Sequence, residues 1–492
     1  MKSRAEPGDR GRVGRRGWSL AVIATAQLMV VLDATIVNIA LPSVQAELGL
    51  SDANRQWVIT AYVLAFGGLL LFGGRISGSI GHRRAFVIGL IGFAVASVVG
   101  GAAGGAVLLF AARAGQGAFA ALLAPAALSL LTTTFVETRE RARAFGVFAA
   151  VGAGGSAVGM VAGGLLSEHA DWRWCLYVNV PIAAVALAGS IALPGDAPRS
   201  GVGSLDVPGV LASAAGLVAL VYACTLAEGR GWGDRVVLGL LVGGVALLAL
   251  FALIESRTRH PLLPLTVVAH RVRGGTLITI GLTQVALFGF YLFMTYYMQG
   301  ILRYSRVRAG VVFLLTAAGI AVGATVVAGP LLSRISARAL LVSGLLVTAA
   351  GMSILTLLSA DADHVFLLFL LPAQLLIGLG LGCVMTPATS LATAQISAAA
   401  TGVAAAAFNA VQQLGGALGT ALLNTVAATG AAAALVRDGG SLHAATVRGF
   451  SVALTVAVGV LLVAALIGWL AIDEEKTEPA TELEESEVRT PV

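Results

Sequence analysis

The sequence predicts an all-α membrane protein of fourteen transmembrane helices, built as two six-helix bundles with two further helices inserted between them. Three observations carry that expectation. Composition excludes an ordinary water-soluble globule: 58% of residues are hydrophobic, 11% are charged, mean hydropathy is +0.91 and 62 of 492 residues are glycine. Apolar stretches of about 20 residues, the length a helix needs to cross a bilayer, recur along the chain. The two halves also resemble each other weakly. Gly74, Ile76, Ile80 and Arg83 align with Gly329, Leu331, Ile335 and Arg338 at an offset of 255, and Gly146, Gly159 and Gly163 align with Gly402, Gly415 and Gly419 at 256.

The predicted spans run in order. A basic arm, 1-17, precedes the N-terminal bundle of 18-194, whose spans are 18-41, 56-74, 85-104, 106-135, 143-167 and 174-194. The region 195-273 holds a Gly/Pro/Ser-rich connection, two inserted spans (207-226 and 235-255) and an interfacial segment, 256-273, with basic ends and an apolar middle. The C-terminal bundle, 274-472, contributes spans 274-300, 309-333, 338-358, 364-389, 402-429 and 449-472. The charged, aromatic-free tail 473-492 reads as disordered.

Lys and Arg accumulate in short cytoplasmic loops. With the N-terminus inside, most of the 31 basic residues fall on the cytoplasmic side, and an even number of spans returns the C-terminus there. Arg303, Arg306 and Arg308 run against the trend. The net charge of +6 follows from this scatter and predicts no nucleic-acid partner. The first apolar run is too long for a cleaved signal and reads as a retained helix. The only lysines, Lys2 and Lys476, lie in the tails, so a GKS or GKT phosphate loop is impossible and an ion gradient is the simpler energy source. Cys175, Cys224 and Cys383 are isolated, without metal-ligand or redox spacing, and neither metal nor cofactor is expected.

Asp33, within LMVVLDATIVNIALP, is the only acid deep inside an apolar stretch. Burying it costs at least roughly 2.5 kcal/mol, so an intramembrane acid marks function, here proton binding and release. It lies about eight residues from the outer end of its span, roughly 12 Å deep, and Arg113 lies about seven from the outer end of the fourth, roughly 10 Å. The two can meet, with Asn38, Gln116 and Asn179 as supporting polar groups; the competing reading is a static ion pair. Gly155, Gly159 and Gly163, with Gly164, place small residues on one face of the fifth span, either for plain packing or as a seam between moving bundles. The loop after the second span, with Gly74, Gly81, Arg83 and Arg84, is a candidate gate. Phe288 occupies the repeat position of Asp33, so the halves differ chemically. The ninth span is instead rich in aromatics and amides, including Gln284, Phe288, Phe290, Tyr291, Phe293, Tyr296 and Tyr297, which suits a large apolar or cationic ligand. The competing reading is a membrane-interface belt for Tyr296 and Tyr297. Gln27, Tyr62, Asn409 and Gln413 complete the candidate substrate set.

LDATIVNIALP (32-42), the glycine-basic stretch 74-84, RAGQG (113-117), the glycine repeat of 155-164, WRWCLYVNVP (172-181) and FNAVQQLGGALG (408-419) resemble the fourteen-span drug/proton antiporters of the major facilitator superfamily. The resemblance covers 18 to about 470. It implies proton-coupled drug export, with Asp33 and Arg113 in coupling, 74-84 in gating and the glycine repeat in antiport. Gly78, Met160, Gln412 and Arg306 stand where the family pattern usually has aspartate, proline, arginine and proline. The expected protein is a proton-driven exporter of small hydrophobic or monovalent cationic compounds, complete as a monomer in a bacterial cytoplasmic membrane. Export of a specific metabolite and a non-transporting sensor are the alternatives, and an enzyme is not expected because the spans hold no nucleophile-base constellation.

Overall fold

The computed structural model describes residues 7–135, 137–195, 207–258, 270–332, 334–359, 364–393, 398–438 and 441–472. The tail and most of the expected linker and interfacial segment lie outside them.

The described residues contain helices and no strand. In the N-terminal half these are α1 (Pro7–Leu48), α2 (Trp57–Ile80), α3 (His82–Gly101), α4 (Ala106–Thr134), α5 (Thr138–His169) and α6, broken into Trp174–Tyr177 and Asn179–Gly189. The inserted pair is α7 (Val207–Arg230) and α8 (Arg235–Arg257). The second half holds α9 (Arg271–Tyr296), α10 (Arg306–Val322), α11 (Ala337–Leu355), α12 (Leu371–Thr393), α13 (Ala398–Asp438) and α14 (Leu442–Ala471). Among the described residues, ten helices are long and apolar enough to cross a membrane, or eleven if the two arms of α2 count as one span. Trp174–Gly189 and Pro208–Cys224 are shorter apolar helices.

Two expectations need correction. The first helix does not stop near residue 41: Pro42 lies inside α1, which continues to Leu48. Asp33 is therefore 15 residues from the helix end, roughly 22 Å. The region 74-84 is not a loop either. Gly74 and Arg75 belong to α2, and the turn into α3 is made at Gly81, whose φ of 101° is one that L side chains rarely adopt. Gly78 faces open space. His82 Nδ1 lies 2.9 Å from Ser77 Oγ, and Arg83 donates to the Ser190 carbonyl at 3.2 Å, tying α3 to the end of α6.

The halves pack alike. Small residues let α5 approach α1 and α13 approach α9: a Cβ at Gly163 would stand 2.7 Å from the Ile36 carbonyl, and one at Gly415 would collide with the Gly281 carbonyl. The inserted pair lies outside this arrangement. Trp57 meets Tyr222 with ring centroids 6.3 Å apart, and Thr425 donates to the Cys224 carbonyl at 2.8 Å, so α7 rests on α2 and α13.

At the end remote from both chain termini, hydrogen bonds join the bundles. Tyr296 donates to Gln45 at 2.5 Å, Gln299 to the Ile39 carbonyl at 3.0 Å and Arg55 to Asn424 at 3.1 Å, with the Arg55 guanidinium 4.0 Å above the Tyr296 ring. Arg306 donates to the Ser167 carbonyl at 2.7 Å, and Glu168 accepts from the Val307 N–H at 2.9 Å. This far-end closure gives Arg306 its role. Arg308 stacks 3.8 Å over Tyr304.

Candidate proton site and bundle interior

Four helices converge on Asp33. Arg113 of α4 donates to its Oδ2 at 2.6 Å, while Oδ1 accepts from Asn179 of α6 at 2.7 Å and from Gln116 of α4 at 2.9 Å. Gln116 also accepts from Arg113 at 2.8 Å and pairs with Ser97 of α3 at 2.8 Å, and Arg113 Nε donates to the Val58 carbonyl at 2.9 Å. Arg113 and Gln116 are one helical turn apart, which is why one helix can hold both oxygens. Asp33, Gln116 and Asn179 have no exposed surface and Arg113 has 1%.

In so dry a place the two charges stabilise each other only because further hydrogen bonds replace lost water. A proton on Asp33 would remove the charge Arg113 neutralises and weaken the carboxyl as the acceptor that Asn179 and Gln116 share. The neighbouring cavity of about 10 Å³, room for one water, is lined by Val37, Val58, Leu109, Trp172 and other apolar groups besides Arg113.

Sequence reasoning missed Ser97, a small polar residue within AVASVVGG, and the Val58 carbonyl. Asn38 does not join the network; its amide donates to the Ala34 carbonyl of its own helix at 3.1 Å. Tyr62, expected to face substrate, belongs here instead: it is 1% exposed, with the Arg113 guanidinium 4.5 Å above its ring.

The glycine repeat divides. Cβ atoms at Gly155, Gly159 and Gly163 would meet Leu28, Thr35 and Ile36 of α1, which is packing within one bundle. Gly164 alone faces the other bundle, where a Cβ would stand 2.7 Å from both the Arg306 carbonyl and Val307 Cα. One turn back, the Met160 carbonyl is 2.5 Å from where a Gly310 Cβ would be. Two departures from the family pattern, Met160 and Arg306, thus lie on this same seam.

The aromatics of α9 are not one open cluster. Phe290, Phe293 and Tyr297 are buried: Phe290 meets Phe313 edge-on, Phe293 stacks on Phe450 and Tyr297 donates to the Ser359 carbonyl at 3.0 Å. Neither Tyr296 nor Tyr297 forms an interface belt, since Tyr296 serves the closure. Gln284 donates to Gln412 of α13 at 2.7 Å, Phe288 lies against Gly416, and Tyr291 packs on Phe313 with centroids 5.4 Å apart. Gln413 touches Gly67 of α2, Gln27 lies by Gly152 of α5, and Asn409 is half-buried one turn before Gln413.

The all-helical fold, with its long apolar helices, is that of a multi-pass membrane transporter rather than an enzyme. The description "Major Facilitator Superfamily" matches residues 23–420, and the chain belongs to that family. It is 57% identical to the puromycin resistance protein pur8 of Streptomyces alboniger, over 95% of this chain and 93% of that one. It is 37% identical to the cephamycin export protein CmcT of Amycolatopsis lactamdurans, covering 87% and 89%. A bacterial homologue of the human lysosomal transporter Spinster, inward-facing and unoccupied, superposes with a TM-score of 0.65 at 15% identity over 95% of this chain and 98% of that one, a likeness of fold alone.

Proposed function

We propose that this transporter exports small hydrophobic or monovalent cationic antibiotics and drugs across a bacterial cytoplasmic membrane in exchange for protons. It does so as a monomer with fourteen spans and both termini inside. The observation that carries the proton reading is the fully buried Asp33, held by Arg113 and two amides. The names of the puromycin and cephamycin relatives support the substrate reading.

In this topology the far-end closure is the outer gate, and the interior faces the cytoplasm. Asp33 is six residues from Ile39, whose carbonyl is part of the closure, a distance of roughly 9 Å along α1. Protonation frees Arg113, Asn179 and Gln116 from Asp33, lets α1 shift against α4 and α6, and so loosens the outer contacts. Each closing hydrogen bond is worth about 1 kcal/mol net. One charge moving through 100 mV supplies about 2.3 kcal/mol, so the drive and the barrier are of one scale.

Vesicles reconstituted with the protein and loaded with a pH-sensitive dye test this. Puromycin or ethidium should trigger proton movement with wild-type protein and none with Asp33→Asn. Equal substrate movement by Asp33→Asn under a proton gradient would refute the coupling role.

A further inference from the structure

The amide pair between α9 and α13 has an unfilled half. Gln284 spends its Nε2–H on Gln412 Oε1, and Gln284 Oε1 has no hydrogen-bond partner although the residue is only 7% exposed. A buried acceptor left unmade is costly, and a ligand donor at this place would relieve that cost. Exchanging O and N in both amides leaves the same balance, one acceptor on one side chain and one donor on the other. The pair presents a donor and an acceptor side by side.

The pair faces the interior. Thr279, which donates to the Ala464 carbonyl of α14, is five residues from Gln284, about 140° around α9, so Gln284 turns away from α14. On α13, Thr425 is pinned to α7 on the outside of the bundle; Gln412 is 13 residues earlier, about 220° around, on the opposite flank. Phe288 follows Gln284 by one turn and Gly416 follows Gln412 by one turn, and the Phe288 ring lies so close to Gly416 that a Cβ there would stand 2.8 Å from it. The half-buried ring is a flat plate one turn from the amide pair.

We infer that Gln284, Gln412 and Phe288 form a subsite for a planar amide or amino-heteroaromatic group, whose N–H donates to the open Gln284 oxygen while its face rests on Phe288. Gln412 sets the selectivity. An arginine at position 412 would carry donors only, so it would occupy the open Gln284 oxygen itself and leave no acceptor for the ligand's N–H. The inference rests on the exporter reading for its ligand path, but its test does not need transport.

Purified full-length protein in nanodiscs is titrated calorimetrically with puromycin, which carries a secondary amide, and with the same compound methylated on that amide nitrogen. Wild type should bind puromycin about 10-fold more tightly than the methylated compound. Gln412→Leu and Gln412→Arg should each bring that ratio near one, while binding of tetraphenylphosphonium, a lipophilic cation with no N–H, stays within about twofold. Equal binding of the two compounds by wild type, binding of neither, or an unchanged ratio in both variants overturns the proposal. A ratio that holds in nanodiscs with no uptake of puromycin into vesicles upholds the subsite and refutes the exporter reading instead.

Discussion

The two bundles share a packing plan and differ in charge. In the N-terminal half, Arg113 of α4 sits over Tyr62 of α2 and grips Asp33 of α1. In the C-terminal half, Gln374 of α12 hydrogen-bonds Thr316 of α10, and Phe288 stands where Asp33's repeat partner would be. Glycine seams hold α1 to α5 and α9 to α13 alike. The second half alone, among the described residues, carries wide π-type turns, at Tyr297–Ile301, Gly323–Ala328 and Phe366–Leu370. Such turns frequently sit at functional sites. The difference lies in the interiors: one half is built around a buried ion pair, the other around amide, hydroxyl and aromatic contacts.

Removing the charged group in one half and its neutral counterpart in the other gives the largest contrast. Arg113→Leu strands Asp33 without its cation and should destabilise the fold by about 3–5 kcal/mol, unless Asp33 takes up a proton. Gln374→Leu deletes one neutral hydrogen bond and should cost about 1 kcal/mol. Thermal unfolding in detergent compares them, and Arg113→Leu,Asp33→Asn should recover much of the loss. Equal losses in the two halves would mean that the ion pair is no more than packing.

Glycine substitutions separate packing within a bundle from contact between bundles. Gly163→Ala and Gly415→Ala press a methyl group into the partner helix and should each cost about 1–3 kcal/mol. Gly164→Ala presses against α10 of the other bundle, a strain relieved by parting the bundles at the far end. Its unfolding temperature should change least of the three, while spin labels placed across the closure move apart. Because Cys175, Cys224 and Cys383 are all buried, new surface cysteines can be labelled selectively. A large loss of stability in Gly164→Ala with unchanged label distances would remove the seam from the gating account.

Legibility in the sequence followed the cost of each feature. Asp33 announced itself because an acid in an apolar run is expensive, and Arg113 followed as the charge able to offset it. Gln116 and Asn179 were readable as polar residues in apolar spans. The Val58 carbonyl was not, since a backbone acceptor leaves no mark on composition. The end of α1 was misjudged because SVQAEL is too polar to count as a span, yet continues the helix to Leu48. Around Gly74 glycine and arginine crowd together as they do in loops, yet the turn needs only Gly81 and Gly74 stays helical. The closure joins residues 139 positions apart, beyond any local pattern.

The smallest expected effect lies where the halves exchange charge. Glu168, at the end of α5, accepts the Val307 N–H in the first turn of α10, a place that favours an anion. That hydrogen bond holds its carboxyl below the usual glutamate value, with the Ser305 hydroxyl, His169 and Arg306 adding to the effect and desolvation opposing it. A carboxyl lowered by folding lends its contact above the ordinary value and loses it as pH falls through the lowered one. Acidifying the medium at this end of the molecule below about pH 4, the ordinary carboxylate range, should therefore loosen the closure. The contact is exposed and screened, so the open population should rise by no more than about fivefold. Glu168→Gln keeps an acceptor for Val307 but has nothing to titrate, so label distances across its closure should lack the acid-dependent component seen in wild type. Identical acid responses in the two proteins would assign the pH sensitivity of the closure to a group other than Glu168.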